Sequence, residues 1–362
     1  MTTAAARREL PVGSTALRIG LENDCVGRSR DDHDLRERFI GCLLGLAIGD
    51  ALGMPVEGWP QQQIREQYGW VDRYLPRLDS AGHVETPAGE FTDDTELALC
   101  LVEALTSAHG YLDPDAVGYR FLRVLQSESS RFLDPTTRRA LERADRTGDF
   151  QQGIGGEGRP TCSAAARIAP IGLVHALGRF NPELFVRDVL RACLLTHSDP
   201  EAINGALAVA YAVRLLVTAE VPPEILIDEV VHFIDEDVVA RSLRLAASLV
   251  AHGGTPERDL ANLREIGTSA DVAEAVAAAF YCFATHPDDF LAAVLTAVNA
   301  GGDTDSIAAM TGALAGAYLG AMGIPPALVD GLEGRAYLVI AAPAFFQAAQ
   351  RRAGLYLRLR RP

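Results

Sequence analysis

The 362-residue sequence contains no lysine: all 33 of its basic residues are arginine. Chemistry that requires a lysine amine is therefore excluded. That covers a P-loop with its phosphate-contacting lysine, a pyridoxal phosphate Schiff base, a Ser-Lys nucleophile and a protein-kinase ATP site. Basic residues are also outnumbered, 33 against 48 acidic ones, for a formal charge of 33 − 48 = −15. A nonspecific nucleic-acid binder displaces phosphate counterions with a basic face, so this balance argues against that class. Cysteine is sparse. Cys25, Cys42, Cys100, Cys162, Cys193 and Cys282 stand far apart with no CxxC, as expected of a reduced cytoplasmic protein rather than a disulfide framework or a zinc site. The N-terminal MTTAAARREL lacks the apolar centre of a signal peptide. One uncharged stretch, Ser306 to Val329, is long enough to span a bilayer. It is mostly Ala and Gly, runs into Pro325-Pro326 and has no aromatic or basic anchors, so no membrane span is expected.

What is present is helical periodicity. Residues 1–32 have mixed charge and no repeat, and are expected to form a mobile extension. From Leu35 onward apolar residues recur at helical spacing: Leu35, Phe39, Cys42, Leu43 and Leu46; Leu97, Leu101 and Leu105; Ile203, Leu207, Tyr211 and Leu215; Val272, Val276, Phe280 and Phe283. Convincing alternating strands are absent. The expectation is one all-α domain over 33–362, with longer loops near 58–92 and 145–163 and no internal repeat or linker.

Glycine supplies a second pattern. Gly41, Gly45, Gly49 and Gly53 recur every four residues, as do Gly312, Gly316 and Gly320. Glycine inside a helix costs about 1 kcal/mol relative to alanine, so a repeated strip implies a close backbone approach in return. The two helices are expected to pack centrally, against each other or a common neighbour. Contact of the strips places Asp50 and Glu57 near Asp303 and Asp305.

Two acidic clusters each open a helix: Thr92-Asp93-Asp94-Thr95-Glu96 and Gly301-Gly302-Asp303-Thr304-Asp305-Ser306. One such cluster is explained by capping, since Asp and Thr satisfy free N–H groups and the dipole favours a carboxylate there. Two are harder to dismiss, because adjacent aspartates repel and capping needs only one. Shared cations resolve the repulsion. Oxygen-only ligands suit Mg²⁺ or Mn²⁺, and four carboxylates carry charge enough for two ions bridged at roughly 3.5–4 Å.

The ordered set Gly49-Asp50-Ala51-Leu52-Gly53-Met54-Pro55-Val56-Glu57, Thr92-Asp93-Asp94-Thr95, Thr196-His197-Ser198 and Gly301-Gly302-Asp303-Thr304-Asp305-Ser306 resembles the ADP-ribosylglycohydrolases from about residue 36 to 325. The resemblance implies a compact multi-helix domain with a central dinuclear site of two Mg²⁺ (or Mn²⁺). It implies Thr92, Asp93, Asp94, Asp303, Asp305 and Ser306 as metal ligands, with Ser306 where threonine is common. Glu57 corresponds to the glutamate of a mobile loop covering the metals. With Asp94 and Asp303 it forms the expected catalytic set. Asp50 is expected to touch the adenosine or a neighbouring loop, and His197 to lie near the ribose.

One segment departs from the family pattern. Cys162 stands where asparagine is usual, Ser163 where glycine is and Ala166 where methionine is, while Arg167 is retained. A helix beginning near Ser163 still offers backbone N–H groups to a diphosphate, so Cys162, Ser163 and Arg167 are expected ligand contacts. The implied reaction is metal-dependent hydrolysis at ribose C1, releasing ADP-ribose from a protein or small conjugate, foremost from arginine. A serine, acetyl or nucleic-acid linkage, or a noncatalytic ADP-ribose binder of the same fold, is the alternative. Nucleic acid enters only as a modified substrate, and the protein is expected to be a monomer. Two weaker possibilities are a di-iron bundle built on Glu229-Val230-Val231-His232 and a phosphohydrolase built on His33-Asp34.

Overall fold

The two glycine strips lie face to face in the computed structural model, which describes residues 32–150, 160–250 and 255–358. The expected extension therefore falls, but for Asp32, outside the described residues, as do Cys25 and residues 151–159 of the second expected loop. The described residues begin with α1 (Asp32–Gly53), a short 3-10 turn at Met54–Val56, and α2 (Gln61–Tyr68). A hairpin of β1 (Arg77–Leu78) and β2 (Val84–Thr86) leads to α3 (Asp93–Ser107), α4 (Pro114–Leu125) and α5 (Pro135–Thr147). Next come α6 (Ser163–Ala166), α7 (Ala169–Ala176), α8 (Pro182–Cys193), α9 (Pro200–Thr218) and α10 (Leu226–Phe233). The remainder is α11 (Val238–Leu249), α12 (Pro256–Ile266), α13 (Val272–Thr285), α14 (Phe290–Val298), α15 (Thr304–Leu319), α16 (Pro326–Gly331) and α17 (Arg335–Arg358). Among the described residues the fold is all-α apart from that hairpin.

α1 and α15 form the central pair, and the glycines explain how closely they approach. A Cβ on Gly45 would stand 2.1 Å from the Gly312 carbonyl oxygen, and one on Gly312 would stand 2.0 Å from that of Gly45. Gly41 meets Gly316 and Gly49 meets Ala308 in the same way. Any side chain here drives the backbones apart, so the propensity cost of these glycines is offset by contact along the whole interface. Phe39 of α1 then packs against Phe345 and Phe346 of α17, at 5.9 and 5.0 Å between ring centres.

Many of the acidic residues behind the −15 have ordinary positions. Asp113, Asp134, Asp199, Asp237, Asp271 and Asp289 each cap a helix by accepting a backbone N–H.

Two sequence expectations need correction. Segment 58–92 is not only loop, since it contains α2 and the hairpin; strands of two and three residues are too short to show alternation. The Ile203, Leu207 and Tyr211 stripe is the half-buried side of α9, because Ala206, Val209, Ala210, Val213 and Leu216 on its other faces are buried completely. α9 is covered nearly all round, so periodicity could not single out its inner face. The uncharged Ser306–Val329 stretch, where no membrane span is expected, is interrupted: α15 stops at Leu319 and Gly320 takes a left-handed φ of 76°. Two other helical stretches, His33–Val56 and Pro200–Thr218, are long and apolar enough to cross a membrane, with 94% and 72% of their apolar windows buried inside the protein.

Candidate active site

Both acidic clusters hang from the C-terminal end of α1. Asp50 is completely buried and accepts from the backbone N–H of Thr92 at 2.9 Å, that of Thr95 at 3.0 Å and the Thr95 hydroxyl at 2.5 Å. One turn later, the Gly53 carbonyl accepts from Thr304 Oγ1 at 2.9 Å. The first set of bonds fixes the start of α3 and the second the start of α15. Ser306 Oγ closes the arrangement by donating to Asp94 Oδ2 at 2.7 Å. Of the two roles expected of Asp50, the neighbouring loop is the one its bonds show. Burial pushes its carboxyl up to about 6, although the Thr95 and Thr92 bonds pull it down.

Glu57 is brought in by the turn before Asp303. Gly58 N–H donates to Gly302 O at 2.8 Å, Gly302 N–H to Trp59 O at 2.9 Å and Asp303 N–H to Thr268 O at 2.8 Å. Gly302 must be glycine: its φ is 82°, and a Cβ would stand 2.0 Å from Thr268 O. As a result Glu57, Asp303 and Asp305 each place a carboxylate oxygen within 4.8 Å of the others'. Glu57, expected as a catalytic carboxylate above the metals, thus stands in the candidate ligand group itself. Asp93 and Asp94 are outside this trio; Asp94 adjoins through Ser306, and Thr92 caps α3 by accepting from Asp94 N–H at 3.4 Å.

Capping does not explain the second cluster. Asp303 occupies the N-cap position of α15 without making a side-chain cap, and its Oδ2 accepts from Cys162 Sγ at 2.8 Å instead. Asp305 is 6% exposed, and its Oδ1 is buried with no hydrogen-bond partner among the described residues. An orphaned carboxylate oxygen beside two further carboxylates is what a divalent cation would satisfy. The electrostatics agree. Burial first, and then neighbouring carboxylates, hold Asp93, Asp94 and Asp305 well above the usual carboxylate range: Asp134 and Asp50 act on Asp93, Asp93 and Asp50 on Asp94, Glu57 and Asp303 on Asp305. Asp303 is raised by burial and moderated by the Cys162 bond. A bound cation reverses that logic and favours the ionised forms. The donor set fits a hard divalent cation.

Beside the carboxylates runs a buried hydroxyl and imidazole network. Thr161 Oγ1 lies 2.7 Å from His197 Nε2, and Thr196 Oγ1 lies 2.8 Å from Nδ1. Burial pushes the His197 imidazole down to about 4, and Arg167 lowers it further while Asp134 opposes; the ring is neutral at pH 7. Arg167, expected at the diphosphate, is 1% exposed. It donates to Ser163 Oγ at 3.2 Å and to Thr196 Oγ1, with its guanidinium 5.2 Å from the centre of the Phe121 ring. It therefore braces α6 from within, and Ser163 Oγ is taken up in the same contact. The helix at 163 forms as expected but is only four residues long. Its entry strand is pinned by Cys162 N–H to Ala270 O and Val272 N–H to Pro160 O.

Cys162 is 2% exposed, and burial followed by Asp303 and Asp94 holds its thiol well above the ordinary value. That leaves it a hydrogen-bond donor and no nucleophile. The two weaker possibilities also fail: Glu229 and His232 are exposed on α10, with His232 Nδ1 at the Asp228 carbonyl, and His33 is exposed at the start of α1. Sequence reasoning missed Asp134, Thr161 and Arg77. Asp134 faces Asp93 electrostatically and accepts from Thr161 Oγ1 at 3.4 Å, yet Asp-Pro at a helix start signals only a cap. Arg77 reaches Glu57 from the unpredicted hairpin.

The chain belongs to the ADP-ribosylglycohydrolase family, whose model matches residues 31–354. Among curated proteins it is 30% identical to "ADP-ribosylarginine hydrolase Tri1" of Pseudomonas putida (strain GB-1), over 81% of this chain and 74% of that protein. It is 28% identical to human "ADP-ribosylhydrolase ARH3", over 82% and 89%. A solved "ADP-ribosylglycohydrolase-related protein complex" aligns with a TM-score of 0.70 and 28% identity, over 88% of this chain and 99% of that one. The protein is accordingly an enzyme, a glycohydrolase acting on ADP-ribosylated substrates.

Proposed function

We propose that the enzyme is a metal-dependent hydrolase that releases ADP-ribose from modified arginine on protein. The observation that carries the metal dependence is the buried, unpartnered Oδ1 of Asp305, a residue whose carboxylate lies within 4.8 Å of those of Glu57 and Asp303. Asp303 and Asp305 would hold one cation beside Glu57, and Asp93 and Asp94, with the Thr92 and Ser306 oxygens, would supply ligands to a second, Mg²⁺ or Mn²⁺ in each case. When bound, such ions polarise hydroxyl groups and water and neutralise the carboxylates. Arginine as acceptor is supported by the likeness to a protein named as an ADP-ribosylarginine hydrolase.

The residues of the chain then divide the work. Glu57 is part-exposed, and its Oε2 is occupied by Arg77; its other oxygen takes the proton from attacking water or returns one to the leaving group. Asp94 and Asp303 stabilise positive charge developing at C1. Thr161, held by neutral His197, offers its hydroxyl to ribose without adding charge. Asp50, Arg167 and Thr196 position these groups and do not touch substrate. The enzyme works as a cytoplasmic monomer and acts on nucleic acid only where it is ADP-ribosylated.

The test is a panel of substrates modified on arginine, serine, acetate and a nucleic-acid end, assayed with Mg²⁺, with Mn²⁺ and with chelator. Release from arginine alone, abolished by chelator, is expected. Undiminished release in chelator would remove the metal from the reaction, and preference for another linkage would remove arginine.

A further inference from the structure

A cavity of about 530 Å³ lies between α2 and α12, outside the carboxylate cluster, lined among others by Gln61, Arg65, Trp70, Leu260, Arg264 and Asn299. Its position ties it to the site. Gln61 N sits against Gly301, which a Cβ there would meet at 2.5 Å, and Pro60 bridges Gly301 directly. On the other wall, α12 ends at Ile266 just before Thr268, whose carbonyl binds Asp303 N–H. The cavity thus opens beside the turn that positions Glu57 and Asp303. Arg65 and Arg264 stand exposed in its walls. Neither guanidinium has an ion-pair or hydrogen-bond partner among the described residues, so both are open to an anionic ligand.

We propose that this cavity is an acceptor-side subsite that takes a carboxylate-bearing peptide segment flanking the modified residue. The inference rests on the hydrolase reading above and names the substrate class for that same site. Two free guanidinium groups supply paired recognition of carboxylates. The Trp70 ring and Leu260 cover the apolar stems, and the Gln61 and Gln62 amides serve the peptide backbone. Glu257 in the same wall disfavours a dianionic phosphate more than a singly charged carboxylate, which favours peptide over free nucleotide. The volume is within the range of about 300–1,000 Å³ usual for ligand sites.

The test has a binding arm and a turnover arm. An unmodified aspartate-rich peptide, its asparagine counterpart and AMP are titrated calorimetrically into wild type and into the Arg65→Gln/Arg264→Gln double variant, with circular dichroism to check the fold. Of the two peptides only the aspartate one is expected to bind, weakened about three- to tenfold in the variant and by added salt, while any AMP binding is the same in both proteins. Peptides ADP-ribosylated on arginine with acidic or neutral flanks are then hydrolysed. The variant should raise KM for the acidic substrate by a similar factor and leave kcat, and the neutral substrate, unchanged. Equal binding of both peptides, or AMP binding that the double variant weakens, overturns the subsite. Failure to hydrolyse any modified peptide while the aspartate peptide still binds overturns the hydrolase reading instead.

Discussion

Arg77 Nη1 donates to Glu57 Oε2 at 2.7 Å, joining the open end of a short β hairpin to the carboxylate trio, Glu57 lying 20 positions earlier in the chain. The guanidinium, with Glu85 at 3.8 Å on the opposite strand, is the cation that holds Glu57 beside Asp303 and Asp305. Glu57→Gln should lower turnover at least about 100-fold. Arg77→Gln should lower kcat about three- to tenfold with little change in KM, because it loosens Glu57 without removing it. Steady-state kinetics of both variants checks this; an Arg77→Gln enzyme as slow as Glu57→Gln would mean that Arg77 itself contacts substrate.

The orphaned Asp305 Oδ1 predicts linkage between metal and stability. Adding Mn²⁺ at about 100 times its dissociation constant should stabilise the fold by about 2.7 kcal/mol, and chelation should reverse it. Asp305→Asn should abolish that increment and reduce turnover to background. Thermal melting with and without Mn²⁺ measures the increment, which wild type must show and the variant must lack.

His197 predicts a pH dependence. Its imidazole is pushed down to about 4 in the folded protein by burial and then by Arg167, so the unfolded chain takes up the proton first. Stability should fall as pH drops from about 6.5 towards 4, by roughly 2–3 kcal/mol from this group. His197→Gln should flatten that part of the profile. Urea midpoints across pH 7.5 to 4.5 for both proteins give the comparison, and parallel curves would rule out His197 as the source.

The central helix pair predicts intolerance to a single methyl group. Gly45→Ala or Gly312→Ala places a Cβ about 2 Å from the facing carbonyl oxygen and should cost about 3 kcal/mol or more. It should also impair metal binding, since α1 and α15 carry Asp50 and Asp305. Gly354→Ala, with open space around it, should be neutral or slightly stabilising. Denaturant unfolding of the three variants decides this.

The sequence by itself determined the all-helical class, the glycine strips as faces of close approach and the identity of the acidic clusters. Those features are local: four-residue glycine spacing, apolar periodicity and adjacent aspartates are visible in a single stretch of chain. It also contained a warning in Cys162, whose departure from the family pattern became the thiol donating to Asp303. What it could not supply was partnership across long separations. Asp50 reads as a possible ligand contact until Thr92 and Thr95 are seen to use its oxygens, and Arg167 as a phosphate contact until it is found buried under α6. Asp134 and Arg77 carry no local mark at all. Only the tertiary structure decided which carboxylates share a site and which charges already have partners, because burial and proximity are properties of the packed chain, and they set the energy of every charge within it.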